Sequence, residues 1–252
     1  MKYLLARENS EVLAQLAWSN VLVAFDFDGT LAPIVSNRDD ARMRHSTCGF
    51  LVRICNLYPC AVISGRAQSD VSTRLGGATV KYIVGNHGLE PGSGLDAFEV
   101  DIGKARKILG SELAEMAGVE LEDKRYSLAV HYRRSRNKRA ALAKIVSIVE
   151  NLPVPMRVVL GKQVVNVIPK RAPNKGDALM ELRAAEHADT ALYIGDDVTD
   201  EDVFELDQPG RLLTIRVGEA ATSAATYFVR DQSEVDRLLS KLIRLREKRS
   251  GT

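Results

Sequence analysis

The sequence predicts an α/β protein: a doubly wound, mainly parallel sheet into which a small α+β unit is inserted. Three observations carry this. Short, continuous apolar runs, Val21–Phe25, Cys60–Ile63, Tyr82–Val84 and Ala191–Ile194, each stop at Ser, Gly or Asp. Longer segments of helical length, such as Ser46–Leu57 and Lys175–His187, lie between them. Strands that are apolar on both faces and alternate with helices form parallel sheets covered on both sides. Between residues 94 and 169 the pattern changes: Leu128 to Tyr132 alternates, which suits a sheet with one apolar and one more polar face.

Taken in order, the first informative element is Val21–Leu31. An apolar strand ends in Asp26 and Asp28 and then turns at Gly29. Residues i and i+2 of an extended chain point to one side, so the two carboxylates converge. Left alone they repel each other and resist burial. A cation between them removes both penalties. The bland alternative is an acidic turn, since Asp-Gly is a common turn pair. The helix Ser46–Leu57 follows, then the strand Cys60–Ile63 with Ser64-Gly65-Arg66 at its end, then Tyr82–Val84.

The inserted unit opens with a helix over Ile102–Ala117. In Leu128–Tyr132, Tyr126, Leu128, Val130 and Tyr132 share one parity, and Ser127, Ala129, His131 and Arg133 the other. A helix over Asn137–Asn151 and two strands, Met156–Leu160 and Gln163–Ile168, complete the unit, with a turn at Gly161-Lys162. The expected division is a core of residues 1–93 and 170–252 and an insert of residues 94–169. Asn174-Lys175-Gly176 then opens a helix, with Asn174 as its N-cap. Ala191–Ile194 runs into Gly195-Asp196-Asp197, and Thr199 is expected to cap a short helix whose first turn carries Asp200, Glu201 and Asp202. The basic segment Arg237–Arg249 carries Leu238, Leu239, Leu242, Ile243 and Leu245 near helical spacing, as a packed terminal helix would.

At 252 residues the chain can bury a core without staples. A net charge of +2 gives no reason to expect nucleic acid or an acidic surface as partner. No apolar stretch approaches the roughly 20 residues that span a bilayer. Three cysteines, Cys48, Cys55 and Cys60, lack CxxC spacing and suggest reduced thiols in a cytoplasmic protein. Oligomeric state is left open, with a monomer compatible.

The polar clusters all fall at strand ends, where ligands bind in open α/β sheets. Together they match what a phosphate ester requires. Asp26, Asp28 and Asp196 can hold Mg²⁺, a hard cation that takes a few carboxylates beside a substrate phosphate. Ser64, Gly65, Arg66 and Lys175 can bind the phosphoryl oxygens, helped by backbone N–H groups at the start of the Lys175 helix. One carboxylate remains free to attack.

In DFDGT, SGR, NKG and GDD the chain resembles the haloacid dehalogenase-like phosphohydrolases. The resemblance implies that Asp26 attacks phosphorus and that Asp28 protonates the leaving oxygen and then activates water. It implies that Asp196 ligates the metal. It sets Asp197 behind it, orienting Lys175 or supporting the metal, with Asp200 beside Asp197. The interval from Ser64 to Lys175 alone has room for a substrate-selecting cap, the second-position type of that superfamily.

GNHGLE, EDKRYSLAVHYR, GKQVVNVIPKRAPNKGDAL and GDDVTDEDVFE resemble the trehalose-6-phosphate phosphatases from about Val21 to Val229. The resemblance implies a sugar phosphate substrate held by Asn86, His87 and Glu90 on the core side. On the cap side it implies Glu122, Lys124, His131 and Arg133. It departs at Asn166, where an acidic residue is expected. Phosphatases of sucrose phosphate or mannosylglycerate phosphate, a phosphotransferase and a phosphosugar-binding regulator without turnover share parts of this pattern. Retention of Asp28 counts against the regulator.

Overall fold

The computed structural model describes residues 1–35, 37–206 and 208–250. In chain order the elements are β1 (Lys2–Tyr3), α1 (Ser10–Trp18), β2 (Val21–Phe25), α2 (His45–Leu57), β3 (Cys60–Ile63), α3 (Gln68–Arg74) and β4 (Tyr82–Val84). There follow α4 (Leu95–Leu113), β5 (Glu120–Asp123), β6 (Leu128–His131), α5 (Lys138–Glu150), β7 (Met156–Gly161) and β8 (Val164–Pro169). The chain closes with α6 (Lys175–Ala185), β9 (Thr190–Gly195), α7 (Glu201–Phe204), β10 (Leu212–Val217), β11 (Tyr227–Val229) and α8 (Gln232–Ser250). They form two compact units, Met1–Glu90 with Asn174–Thr252, and Pro91–Pro173.

The first unit holds a seven-stranded sheet in the order β1-β11-β10-β9-β2-β3-β4, parallel throughout. Its strands are continuous apolar runs because both faces are covered. Val21, Val23 and Phe25 pack with Leu13, Leu51, Leu239 and Leu242 from α1, α2 and α8. Leu22 and Ala24 face the other way, onto Ala178 and Leu179 of α6 and Val203 of α7. Each such Leu or Val side chain taken fully out of water contributes about 1.5–3 kcal/mol. From β2 the strand order runs one way through β3 and β4 and the other way through β9. The β2/β9 boundary is therefore the switch point, where ligands of open α/β sheets bind. The terminal helix is packed as the spacing indicated, with Leu238, Leu239, Leu242 and Ile243 buried. The side chain of Arg249 lies outside the described residues.

The second unit is a four-stranded antiparallel sheet in the order β5-β6-β8-β7, with α4 and α5 on one face. Leu128, Val130, Val165 and Val167 pack against Ile102, Leu109, Ile145 and Ile148. Ala129, His131 and Asn166 occupy the opposite parity, as the alternation required. The helix expected over Ile102–Ala117 starts instead at Leu95. It follows Gly94 in a left-handed conformation (φ 71°), and its first two turns bury only Phe98, so they carry no apolar stripe to mark the start.

Candidate active site

Asp26 and Asp196 follow adjacent strands whose last registered pair is Phe25 and Ile194. The Asp26 backbone N–H donates to the Ile194 carbonyl at 2.8 Å, which extends the ladder into the site. Asp200 joins them through the turn after β9. One oxygen from each of Asp26, Asp196 and Asp200 lies within 4.8 Å of the others. Gly29 permits this approach. Its φ is +85°, and a Cβ there would lie 2.1 Å from Asp196 Oδ2.

Lys175, only 1% exposed, is the counter-charge. Its Nζ donates to Asp26 Oδ1 at 2.8 Å and to Asp200 Oδ1 at 2.7 Å. Burial alone would lower its pKa, but the charges of Asp200 and Asp26 outweigh burial and hold the ammonium charged. One ammonium does not balance three carboxylates. Burial pushes the Asp26 carboxyl up to about 7, with Lys175 opposing and Asp200 adding to the rise. Burial, then the charges of Asp26 and Asp200, push Asp196 up to about 9. Asp196 Oδ1 is buried with no hydrogen-bond partner. An orphaned oxygen in an anion-rich, all-oxygen cluster fits a hard divalent cation.

Lys175 reaches this point because α6 begins there. Asn174 is the N-cap, its side chain accepting from Asp177 N–H while the Asn174 N–H donates to Asp177 Oδ2, both at 2.9 Å. A Cβ on Gly176 would meet the Asp202 carbonyl at 2.3 Å, so α6 and α7 pack backbone to backbone.

Asp200 does more than the sequence suggested. Its Oδ2 accepts the backbone N–H groups of Asp196 and Asp197 at 2.8 and 2.9 Å, and its Oδ1 accepts the Tyr193 hydroxyl at 2.7 Å as well as Lys175. Asp197, expected to orient the lysine or support the metal, is instead the N-cap of the short 3-10 helix Val198–Asp200. Asp200 holds Lys175, because its carboxylate, not that of Asp197, turns inward from that helix. Thr199, expected to cap the helix of Glu201 and Asp202, lies inside the 3-10 turn, and the N-cap position of α7 is Asp200. Glu201 accepts from Arg216 and from the Ala224 N–H. Buried Tyr193 escaped notice because it reads as one more apolar residue of β9. The three-residue spacing Asp197–Asp200, that of a capping box, was the available signal.

Asp28 is separate from the cluster. Both of its oxygens accept from Arg66, Oδ2 from Nε at 2.6 Å and Oδ1 from Nη2 at 2.7 Å. Arg66 also donates to Asp70 and to the Arg38 carbonyl. The guanidinium expected to bind phosphate is thus committed to carboxylates. Ser64 is buried, and its Oγ accepts from the Arg66 N–H at 3.2 Å. Gly65 lies under His87, and a Cβ there would meet the imidazole Cε1 at 2.5 Å.

The loops after β3 and β4 are zipped by Asn86 N–H to Arg66 O and His87 N–H to Ser64 O, at 2.7 and 2.9 Å. Asn86 is fully buried and donates to Glu90 Oε2 at 2.8 Å; the same oxygen accepts the Gln68 N–H. These two residues, expected to line a sugar site, brace the loop, since a buried amide needs an internal partner. His87 is buried in a left-handed conformation, φ 61°.

In the second unit, Glu122 Oε2 lies 2.9 Å from His131 Nε2. Asn166 pairs in register with Ala129 and Val159, and its amide donates to the Val159 carbonyl at 3.4 Å. Lys124 belongs to the β5–β6 turn, its N–H donating to the Ser127 carbonyl. Arg133 is exposed beyond β6. The sheet therefore brings Glu122, His131 and Asn166 to one face, with Lys124 and Arg133 in the flanking turns. Among the described residues no helix is long and apolar enough to cross a membrane.

Known proteins share both the sequence pattern and this fold. A family model described as trehalose-phosphatase matches residues 24–233. A trehalose-phosphate phosphatase of Mycobacterium avium (strain 104) is 33% identical over 231 residues, covering 83% of this chain and 59% of that protein. The chain thus spans about six-tenths of the length of that relative. Trehalose-phosphate phosphatase B of Arabidopsis thaliana is 28% identical over 267 residues, covering 96% of this chain and 71% of the relative. Among solved structures, the C-terminal domain of the C. albicans trehalose-6-phosphate phosphatase superposes with a TM-score of 0.74 at 22% identity, covering 93% of this chain and 96% of that one. The Aspergillus fumigatus trehalose-6-phosphate phosphatase gives 0.63 at 22% identity, covering 97% and 99%. The family match covers most of the chain, and the folds agree: the chain belongs to the trehalose-phosphatase family.

Proposed function

We propose that this chain hydrolyses trehalose 6-phosphate to trehalose and phosphate through an aspartyl-phosphate. The observation that supports this most is the convergence of Asp26, Asp196, Asp200 and Lys175 at the sheet's switch point. Asp26 is the nucleophile. Its carboxylate attacks phosphorus as the bond from phosphorus to the sugar oxygen breaks. Asp28 gives that oxygen its proton, then takes a proton from the water that attacks the aspartyl-phosphate, which frees phosphate and regenerates Asp26. Lys175 opposes the protonation of Asp26 that burial favours and offers positive charge to the phosphoryl group. Ser64 can donate its hydroxyl proton while its Oγ accepts from Arg66.

Asp26 and Asp196, with the main-chain carbonyl of Asp28, would hold Mg²⁺, and Asp200 would support them. The ion supplies Lewis-acid charge neutralisation at the phosphate. The Pro91–Pro173 unit serves as the cap, with Glu122, Lys124, His131 and Arg133 meeting sugar hydroxyls. His87 contributes from the core side. The three free cysteines suit a reducing compartment such as the cytoplasm. Asn166 supports a second reading, a broader glycosyl-phosphate phosphatase. It keeps a hydrogen-bonding amide but lacks the charge of the expected acid.

Phosphate release from trehalose 6-phosphate, sucrose 6-phosphate and glucose 6-phosphate tests both readings. A preference for trehalose 6-phosphate of at least about tenfold, lost in EDTA, is expected for a site that reads the sugar by hydrogen bonds. A flat profile would remove the substrate assignment, and full activity in EDTA would remove the metal.

A further inference from the structure

Asp28 does not stand alone beside the carboxylate cluster; it ends a chain of alternating charges. Arg66 grips both of its oxygens, at 2.6 and 2.7 Å. The Arg66 side chain is only 6% exposed, while that of Asp28 is 40% exposed. The buried partner is therefore the fixed one, and the planar guanidinium sets the plane of the carboxylate. Arg66 is itself held from three sides. Nη1 donates to Asp70 Oδ2 at 2.8 Å, Nη2 to the Arg38 carbonyl at 2.8 Å, and the guanidinium carbon lies 5.7 Å from the centroid of the Phe27 ring. Asp70 is pinned in turn, its Oδ1 accepting from Arg74 Nε at 2.8 Å. Arg66, Asp70 and Arg74 follow one another at four-residue intervals across the start and end of α3.

We propose that Asp70 is a positioning residue for the reaction, acting through Arg66 to fix the carboxylate of Asp28. This rests on the reading of Asp28 as acid and base. A proton donor must sit within hydrogen-bond reach of the leaving oxygen, and misplacement by about 1 Å costs roughly a hundredfold in rate. Arg66 could hold Asp28 with its own two donors. Without Asp70, however, a buried guanidinium loses its second carboxylate and can turn about its stem. The Asp28 carboxylate accepts from Nε and Nη2 of Arg66, the pair that sets its angle, and the Arg38 guanidinium adds charge attraction. The network therefore bears on the proton-transfer step and not on the phosphate itself.

Leaving groups separate this role from a structural one. A sugar alkoxide needs a proton as it departs, whereas p-nitrophenolate leaves without one. The comparison is made on kcat/KM, which stops at the first irreversible step and so excludes hydrolysis of the aspartyl-phosphate. Asp70→Asn is expected to lower kcat/KM for trehalose 6-phosphate about tenfold or more, and to leave that for p-nitrophenyl phosphate within about twofold. Arg74→Lys, which loosens the far side of Asp70 and lies outside the site, should show a smaller loss of the same selectivity if Asp70→Asn folds poorly. Asp70→Glu, which restores the carboxylate, should recover part of the loss. Equal losses on both substrates, or none on either, would overturn the role of Asp70. Asp28→Asn is the control. If it shows no dependence on leaving group, the reading of Asp28 as the acid fails. If Asp28→Asn is selective and Asp70→Asn is not, only the role of Asp70 fails.

Discussion

Replacing Lys175 by Met keeps the length of the side chain and removes its charge. In the native protein the ammonium lies 2.8 Å from Asp26 Oδ1 and 2.7 Å from Asp200 Oδ1, with all three side chains almost completely out of water. The variant leaves Asp26, Asp196 and Asp200 crowded within 4.8 Å of one another with no positive partner among the described side chains. Removing one member of a buried ion pair costs about 3–5 kcal/mol, because the remaining charge stays buried and uncompensated. Two carboxylates lose a partner here, but protonation relieves part of the repulsion, so a loss near 4 kcal/mol is the expected order. Urea unfolding followed by circular dichroism without added metal measures it, as a drop in midpoint at unchanged slope. Adding Asp200→Asn to Lys175→Met should recover a good part of the loss, since it removes one unpaired charge. A loss under about 1 kcal/mol for the single variant, or no recovery in the double, would refute the view that Lys175 is the essential counter-charge.

Two further outcomes follow from the same geometry. Gly29→Ala places a Cβ 2.1 Å from Asp196 Oδ2 at a φ of +85° and should cost about 1–3 kcal/mol while lowering phosphatase activity well beyond that of a surface Gly→Ala control such as Gly110→Ala; equal activities would contradict the close approach. The metal-free protein should lose stability as pH rises. Asp26 and Asp196 have folded pKa values raised to about 7 and about 9 from 3.8, so the favourable contribution of their protons is complete below about pH 4 and fades through pH 9. The gain in Tm on adding Mg²⁺ should therefore grow from pH 5 to pH 9, and a constant gain would contradict it.

Legibility in the sequence followed local chemistry. Val21–Phe25 and Cys60–Ile63 stood out because burial on both faces demands unbroken apolar runs. The opposite faces of β6 stood out because burial on one face demands alternation. The strands β10 and β11 gave no comparable signal: Leu212–Val217 is interrupted by Thr214 and Arg216, and Tyr227–Val229 is three residues long. Two-residue β1 exists only through its pairing with Tyr227 and Phe228, a contact made across the whole chain.

The candidate site divided in the same way. Asp26, Asp196 and Lys175 were legible because a buried strand ending in charge needs a partner. The partner of a given charge was not, since that depends on how a turn folds. Asp200 turned inward where Asp197 became a cap, and Arg66 met Asp28 where phosphate was expected. Asn86 and Glu90 had the right chemistry for sugar hydroxyls, yet they meet each other because the loop folds back between Gly85 and Glu90. The Arg66, Asp70 and Arg74 spacing is that of a helix face, but the acid at its end, Asp28, lies in the turn after β2.

The central claim is that Asp26 carries the phosphoryl group of trehalose 6-phosphate. The direct measurement is acid-quenched turnover of phosphate-labelled trehalose 6-phosphate in Mg²⁺, followed by peptide mapping. Label on the peptide containing Asp26, absent together with phosphate release in Asp26→Asn, is the expected result. Phosphate release that persists in Asp26→Asn, with no label on that peptide in the native protein, would contradict it.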